Sequence, residues 1–374
     1  MKNIINWIFI FIYCFIPLTN NNGMNLNMLY NVDHQWMSYI DGKKKLNEIN
    51  IPGTHDSATL VMANGIVHEF ANTQSLNIIE QLKRGIRYFD LRITLGDEDN
   101  TNLYLTHNGY ICYDPENTDE KLYFSKVLND FINYLNTFYN ETIIIHLKRE
   151  KIPDEIPNNF DTQYPEKNYL AKIIAEHTIL NENTVENPKY STKTKVKDYF
   201  YYENEIPTLD QVRNKIVIVT RDSYTYDNKP LGVQISVPEM KHCTEYSNKG
   251  GKNDGVICYP ILTNNYNTRI QDDYNLEEDD KWDMIYDMIT NNIPSRSENK
   301  TNDVYTVYDD TITNRFYDTL NTNVLTLNFL NMARMSTSEH VYHIITDLFD
   351  TDIEGMADYV NFRLESHLWN KASS

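Results

Sequence analysis

Three short segments hold residue types that could do acid–base chemistry on a phosphate ester. Gly53-Thr54-His55-Asp56-Ser57 sets a histidine beside an aspartate on a glycine-containing turn that follows an apolar run. Phe89-Asp90-Leu91-Arg92 comes next, and then Leu105-Thr106-His107-Asn108-Gly109. Two imidazoles and a guanidinium are what phosphodiester cleavage needs in the absence of a metal. One ring takes a proton, the other gives one, and the guanidinium holds the phosphate charge. Pure binding requires neither a base nor an acid, so the trio argues for an enzyme.

The elements that must position these groups can be read from the pattern of apolar runs. Short runs alternate with helical periods, which predicts βα units around a parallel sheet. Strands are expected at Leu46–Ile51, Ile86–Arg92, Leu103–Thr106, Thr142–Leu147, Lys215–Thr220, Val324–Phe329 and Val341–Thr346. Helices are expected at Leu76–Arg84, Asp119–Leu135, Tyr169–His177, Glu278–Ile289 and Ile353–Leu368. In Asp119–Leu135 the residues Leu122, Phe124, Val127, Leu128, Phe131, Ile132 and Leu135 fall on one side at the helical period. From Asp222 to Asp310 the pattern blurs into Asn, Tyr, Asp and Lys, with strands guessed at Gly232–Val237 and Val256–Leu262. On this map His55, Arg92, His107, Lys148, Arg221 and Asp347 each fall at the carboxyl end of an expected parallel strand. In a (β/α)8 barrel those ends share the face on which active sites are built. The expected fold is therefore α/β, a distorted (β/α)8 TIM barrel, a single domain with elaborated loops.

Composition narrows the partners. The chain has 374 residues, 41% of them hydrophobic, and a net charge of -19. Nucleic-acid binding needs a basic face and is disfavoured. Any positive charge at a phosphate site must be concentrated in a pocket. Residues 1–22 read as a secretory signal, with Lys2 ahead of the apolar Ile4–Leu18 and a polar run after it. No small-residue cleavage site is obvious, so an uncleaved leader anchoring the chain is the alternative to secretion. No later stretch is long and apolar enough to span a bilayer. Outside the leader the cysteines are Cys112, Cys243 and Cys258; Cys243 and Cys258 could pair, or all three could be free thiols. Sequons at Asn140 and Asn299 are compatible with export. The remaining histidines, His146 among them, are read as structural. His340 and His343 would face opposite sides of a strand and do not form a metal pair.

These motifs resemble the catalytic X domain of phosphatidylinositol-specific phospholipase C, in its small, bacterial-type, metal-independent branch. The likeness runs from about Trp36 to Asp358. It rests on Gly53–Ser57, on Gly85-Ile86-Arg87-Tyr88-Phe89-Asp90-Leu91-Arg92, and on Leu105-Thr106-His107. Further matches are Leu147-Lys148-Arg149-Glu150, Lys215–Arg221, Gln271-Asp272-Asp273-Tyr274 and Ile345-Thr346-Asp347. One departure is Asn108, which stands between His107 and the glycine that usually follows the second histidine. The resemblance implies that residues 23–374 form one catalytic barrel. His55 would be the general base and His107 the general acid, with Arg92 on the phosphate. Asp347 would hydrogen-bond His55, and Asp56 would act with Arg92 on the leaving-group side. Lys148, Arg221, Asp272 and Tyr274 would contact the inositol, assisted by Glu150, and Asp90 is placed with these substrate contacts.

The resemblance also implies that no metal or other cofactor takes part. Calcium-dependent relatives carry carboxylates where this chain has Arg92 and Lys148, and two cations there would repel a divalent ion by several kcal/mol. The expected function is cleavage of phosphatidylinositol, and of glycosylphosphatidylinositol anchors as a related substrate. The products would be diacylglycerol and inositol 1,2-cyclic phosphate, made at a membrane surface by a monomer. The alternatives are a catalytically silent inositide-binding module and a metal-dependent glycerophosphodiester barrel. The second would need His-Arg-Gly and Glu-x-Asp segments that do not occur at the matching places.

Overall fold

The structure, a computed structural model, describes residues 34–62, 72–95, 102–107, 110–150, 166–187, 191–221, 224–235, 243–246, 255–258, 267–271, 281–282, 285–286 and 324–330. Contacts divide the chain into two compact units, the first running to Ser236 and the second from Val237 onward. The leader, the Val341–Thr346 strand and the Ile353–Leu368 helix lie outside the described residues, as do Asp272, Tyr274 and Asp347.

The first unit is built on a mostly parallel sheet. Its central strands are β1 (Gly53–Thr54), β2 (Tyr88–Leu95), β5 (Thr142–Arg149) and β7 (Lys215–Thr220). Strand β1 pairs with the start of β2, β2 with β5, and β5 with β7, all in parallel. The far side of β7 takes β6 (Phe200–Tyr201) at its start and β8 (Val233–Gln234) at its end. Both faces of β2, β5 and β7 are largely buried, which is why β5 and β7 read as near-continuous apolar runs, while β2 also buries Asp90, Arg92 and Thr94. The expected span Lys215–Thr220 is matched residue for residue.

Helices α1 (Ile78–Lys83), α2 (Phe124–Thr137) and α3 (Glu166–His177) connect these strands. Every apolar residue of the stripe expected along α2 is buried in one core with Phe89, Leu91, Ile143 and Ile145. The helix starts later than expected because Asn117–Lys121 pairs with Tyr113–Asp114 as a hairpin. Helix α1 is closed by Gly85 at φ +90°, a left-handed position that glycine takes without steric cost.

Two expectations about strands are corrected. Leu46–Ile51 is not a strand. Leu46–Glu48 is a 3-10 turn in which the Glu48 carboxylate accepts from the Lys45 backbone N–H, and extended pairing begins only at Gly53. Strand β3 (Leu103–His107) runs antiparallel to β2, with Leu103 opposite Leu95 and Leu105 opposite Ile93. It returns on itself through β4 (Tyr110–Ile111). Pairing with β3 extends β2 beyond Arg92 to Leu95, so Arg92 sits inside its strand and not at its end.

In the second unit, β9 (Cys243–Tyr246), β10 (Gly255–Cys258), β11 (Asn267–Gln271) and β12 (Val324–Asn328) form one sheet. Strands β9 and β10 are antiparallel with Cys243 directly opposite Cys258. Opposed antiparallel residues have Cα atoms about 4.5–5.5 Å apart, within the range that a disulfide spans. The β11–β12 pair is parallel.

Candidate active site

The first histidine is placed by an unusually close strand contact. A Cβ on Gly53 would lie 2.9 Å from the Cβ of Tyr88, so only glycine lets β1 approach β2 in this way. The chain then turns sharply. Asp56 adopts φ +46°, a left-handed conformation that costs an aspartate roughly 1 kcal/mol or more. Tertiary bonds hold it there. The Ser57 N–H donates to the Asp90 carbonyl at 2.9 Å, and the Thr59 hydroxyl donates to the Asp56 carbonyl at 2.9 Å. Gln74 Nε2 donates to the His55 carbonyl at 2.6 Å.

The turn places Asp56 between the other groups. Its Oδ2 lies 2.8 Å from His55 Nδ1 and 3.0 Å from His107 Nε2, and its Oδ1 lies 3.1 Å from Arg92 Nε. Arg92 Nη2 donates to Asp90 Oδ2 at 2.8 Å and stands 3.2 Å from His55 Nε2. Its Nη1 makes one long contact, 3.5 Å to Glu150 Oε1. His107 reaches this cluster because β3 runs backward along β2. An antiparallel hairpin, and not a shared barrel rim, brings the second imidazole to the first.

Electrostatics follow from this packing. Burial favours the neutral ring of His55, but the carboxylates of Asp56 and then Asp90 outweigh it, and its pKa lies above the ordinary 6.5. Burial alone would raise Asp56, yet His55 and Arg92 hold its carboxyl below the usual range. Asp90 is likewise held down, mainly by Arg92, against full burial. Arg92 is held firmly protonated: burial opposes its charge, and Asp90 and Asp56 outweigh it. Lys148 is lowered by burial and by the neighbouring charges of Arg92 and Arg221. Glu150 is raised by burial, against the pull of Arg92.

The register aligns three cations. Arg92 pairs with Lys148 across β2 and β5, and Thr220 pairs with Leu147, which puts Arg221 beside Lys148 one step on. The structure thus brings His55, Asp56, Asp90, Arg92, His107, Lys148, Glu150 and Arg221 to one region of the first unit. Asp90 is fully buried, with Oδ2 2.8 Å from Arg92 Nη2, so it supports the guanidinium from behind. His55 Nδ1 faces Asp56, and Asp347, expected to hydrogen-bond His55, lies outside the described residues. By distance His55, Asp56 and Asp90 could also hold a metal ion. The Arg92 guanidinium already occupies both carboxylates, and a cation there would meet its charge at close range.

Two polar residues close to this centre were not singled out from the sequence as functional. Gln81 is 1% exposed on the inner face of α1, and its side chain bonds the 54–57 turn. The available signal was a glutamine on the same helical face as Ile78 and Leu82. His146 is fully buried on β5, with Nδ1 3.7 Å from Asp90 Oδ1, too long for a hydrogen bond. Its pKa is pushed down to about 3, chiefly by burial. A histidine inside the apolar run Thr142–Leu147 was its signal.

A mostly parallel α/β sheet carrying a His–Asp–Arg–His centre defines the class: an α/β fold with the acid–base groups of a phosphodiesterase. Residues 49–222 match the family model of the phosphatidylinositol-specific phospholipase C X domain. The chain is 27% identical over 271 residues to a 1-phosphatidylinositol phosphodiesterase of Staphylococcus aureus strain Newman, covering 72% of each chain. A protein of the same name from Listeria monocytogenes is 28% identical over 228 residues, covering 57% of this chain and 58% of its own. A crystal structure of phosphatidylinositol-specific phospholipase C from Staphylococcus aureus, carrying pentafluoro-phenylalanine, superimposes with a TM-score of 0.52. It is 20% identical and covers 86% of this chain and 85% of that one. That likeness shows the fold, a distorted barrel of the TIM type.

Proposed function

We propose that the chain is a phosphatidylinositol-specific phospholipase C that works without a metal. It converts phosphatidylinositol to diacylglycerol and inositol 1,2-cyclic phosphate. The observation that carries this reading is the single Asp56 oxygen that meets both imidazoles, at 2.8 and 3.0 Å, beside a guanidinium. With Nδ1 of His55 engaged by Asp56, Nε2 is the basic nitrogen, and it lies next to Arg92 where a phosphate would bind. That ring removes the proton of the inositol 2-hydroxyl, whose oxygen attacks the adjacent phosphorus. His107 gives a proton to the departing diacylglycerol oxygen, and Arg92 holds the charge that builds on the phosphoryl oxygens. Lys148, Glu150 and Arg221 line the head-group side. Asp272 and Tyr274 join them in this reading, and Asp347 supports the base.

The same reading extends to organisation and location. Residues 1–22 are an export leader, and 23–374 act as one monomeric catalytic barrel on a membrane surface. Among the described residues no helix is long and apolar enough to cross a membrane. The test is diacylglycerol release from micellar phosphatidylinositol with and without a strong chelator. Turnover is expected to be unchanged by the chelator and to fall by roughly 10² to 10⁴-fold in His55→Ala. Loss of turnover with chelator and rescue by calcium would overturn the metal-free mechanism. A fully active His55→Ala would overturn the role given to that base.

A further inference from the structure

We propose that Gln81 is a positioning residue for the catalytic pair, acting through the backbone turn that carries His55 and Asp56. The inference rests on the phospholipase reading for its kinetic consequences, but its geometry stands alone. Gln81 belongs to α1, outside the sheet and outside the proposed acid–base machinery, and is almost wholly buried. Its Nε2 donates to the Ser57 carbonyl and to the Leu76 carbonyl, each at 2.8 Å. Its Oε1 accepts from the Thr54 hydroxyl at 2.7 Å. Both amide hydrogens are therefore used on carbonyls and the oxygen on a hydroxyl. The reverse orientation of the amide would set oxygen against oxygen twice.

The bonds to Thr54 and Ser57 clamp the residues flanking His55 and Asp56 on both sides. The turn between them needs such a clamp. Asp56 sits at φ +46°, a left-handed conformation that a residue with a side chain adopts only at a cost. Its carboxylate must also stay near two imidazoles and Arg92 at once. Released from Thr54 and Ser57, the turn can relax to ordinary backbone angles, and that rotation carries the carboxylate off His55. The contact of Leu76 with the same amide fixes the Gln81 side chain in the orientation that the turn requires.

Gln81→Met keeps the length and removes all three bonds. Two readouts decide the matter. By NMR titration of the free protein, His55 in Gln81→Met should titrate at lower pH than in the wild type, because its raised value depends on the nearby Asp56 carboxylate. In turnover of micellar phosphatidylinositol, kcat should fall on the order of 10²-fold. KM should stay within about twofold, as expected when geometry at the reacting atoms is lost and ground-state binding is not. Asn77→Ala is the control. It removes the cap that the Asn77 side chain gives the Glu80 N–H on the same helix, and should lower the unfolding midpoint while leaving both readouts unchanged.

If Gln81→Met does not fold, Thr54→Val, which deletes one bond of the clamp from the other side, is expected to shift both readouts in the same direction by less. A wild-type His55 titration in the folded variant overturns the positioning role. So does a variant that loses stability with no change in kcat. A wild-type chain that releases no diacylglycerol sinks the phospholipase reading instead, and the titration then decides Gln81 by itself.

Discussion

Arg87 and Arg92 leave the same stretch of chain, and both are buried beside carboxylates, yet they do opposite work. Arg87 is fully buried, and all its donors end on fixed protein atoms. Nε meets Glu141, Nη1 the Leu82 and Ile86 carbonyls, and Nη2 the His34 carbonyl and the Tyr134 hydroxyl. Its charge is stacked on the Tyr134 ring at 4.9 Å. Nothing is left to give to a ligand. Arg92 instead faces groups that titrate, namely Asp56, Asp90, Glu150 and His55, and its Nη1 edge is held only at 3.5 Å. A saturated guanidinium fastens the fold, whereas one with a loosely held edge among ionisable partners can take a phosphate. The difference lies in the partners, since residue type and burial are shared.

The same exchange at both positions tests that contrast. Arg92→Lys keeps the charge for Asp56 and Asp90 but loses the fork, so turnover should drop about 10² to 10³-fold with a small change in stability. Steady-state kinetics beside a urea titration reads both. Arg87→Lys should do the converse. Several bonds to buried acceptors disappear at once, and unfolding free energy should fall by about 2–4 kcal/mol while the folded fraction keeps its kcat. If the two variants produced matching kinetic and stability profiles, the division of labour between the arginines would be refuted.

The smallest expected effect concerns His146, which lies behind Asp90 and among the charges of Arg92, Arg221 and Lys148. Its native pKa of about 3 lies below the ordinary 6.5. Between those values the unfolded chain holds a proton that the native chain does not. Its contribution to stability is therefore complete above pH 6.5 and is lost as pH falls toward 3. The slope from this one group is at most about 1.4 kcal/mol per pH unit. His146→Leu should flatten the decline in urea midpoint between pH 6.5 and 4.5. An unchanged slope would show that the acid sensitivity of this region belongs to the carboxylates.

Much of the fold was legible because buried parallel strands advertise themselves as mostly apolar runs, as Thr142–Leu147 and Lys215–Thr220 do. The stripe on α2 was legible because one helical face meets the core. Boundaries set by pairing were not. The extension of β2 past Arg92 and the reversal of β3 depend on a neighbour strand, which no local window contains. Among site residues, His55, Arg92 and His107 announced themselves by type and spacing. The full burial of Asp90 was not legible, because a carboxylate on a strand looks the same in sequence whether it is exposed or packed against an arginine. Gln81 drew no reading, being a polar group on an apolar helical face whose contacts lie on other elements.

The sequence by itself determined the inventory: two imidazoles, a guanidinium, and an alternation of strand and helix able to carry them. Only the tertiary structure decided the arrangement. It turned β3 back along β2 so that the second imidazole meets the first, forced Asp56 into a left-handed turn between them, and gave one arginine to the core and the other to the site. The physical reason is that residue chemistry is local, while burial, register and the distance between charges are properties of chain segments far apart in sequence that only folding brings together.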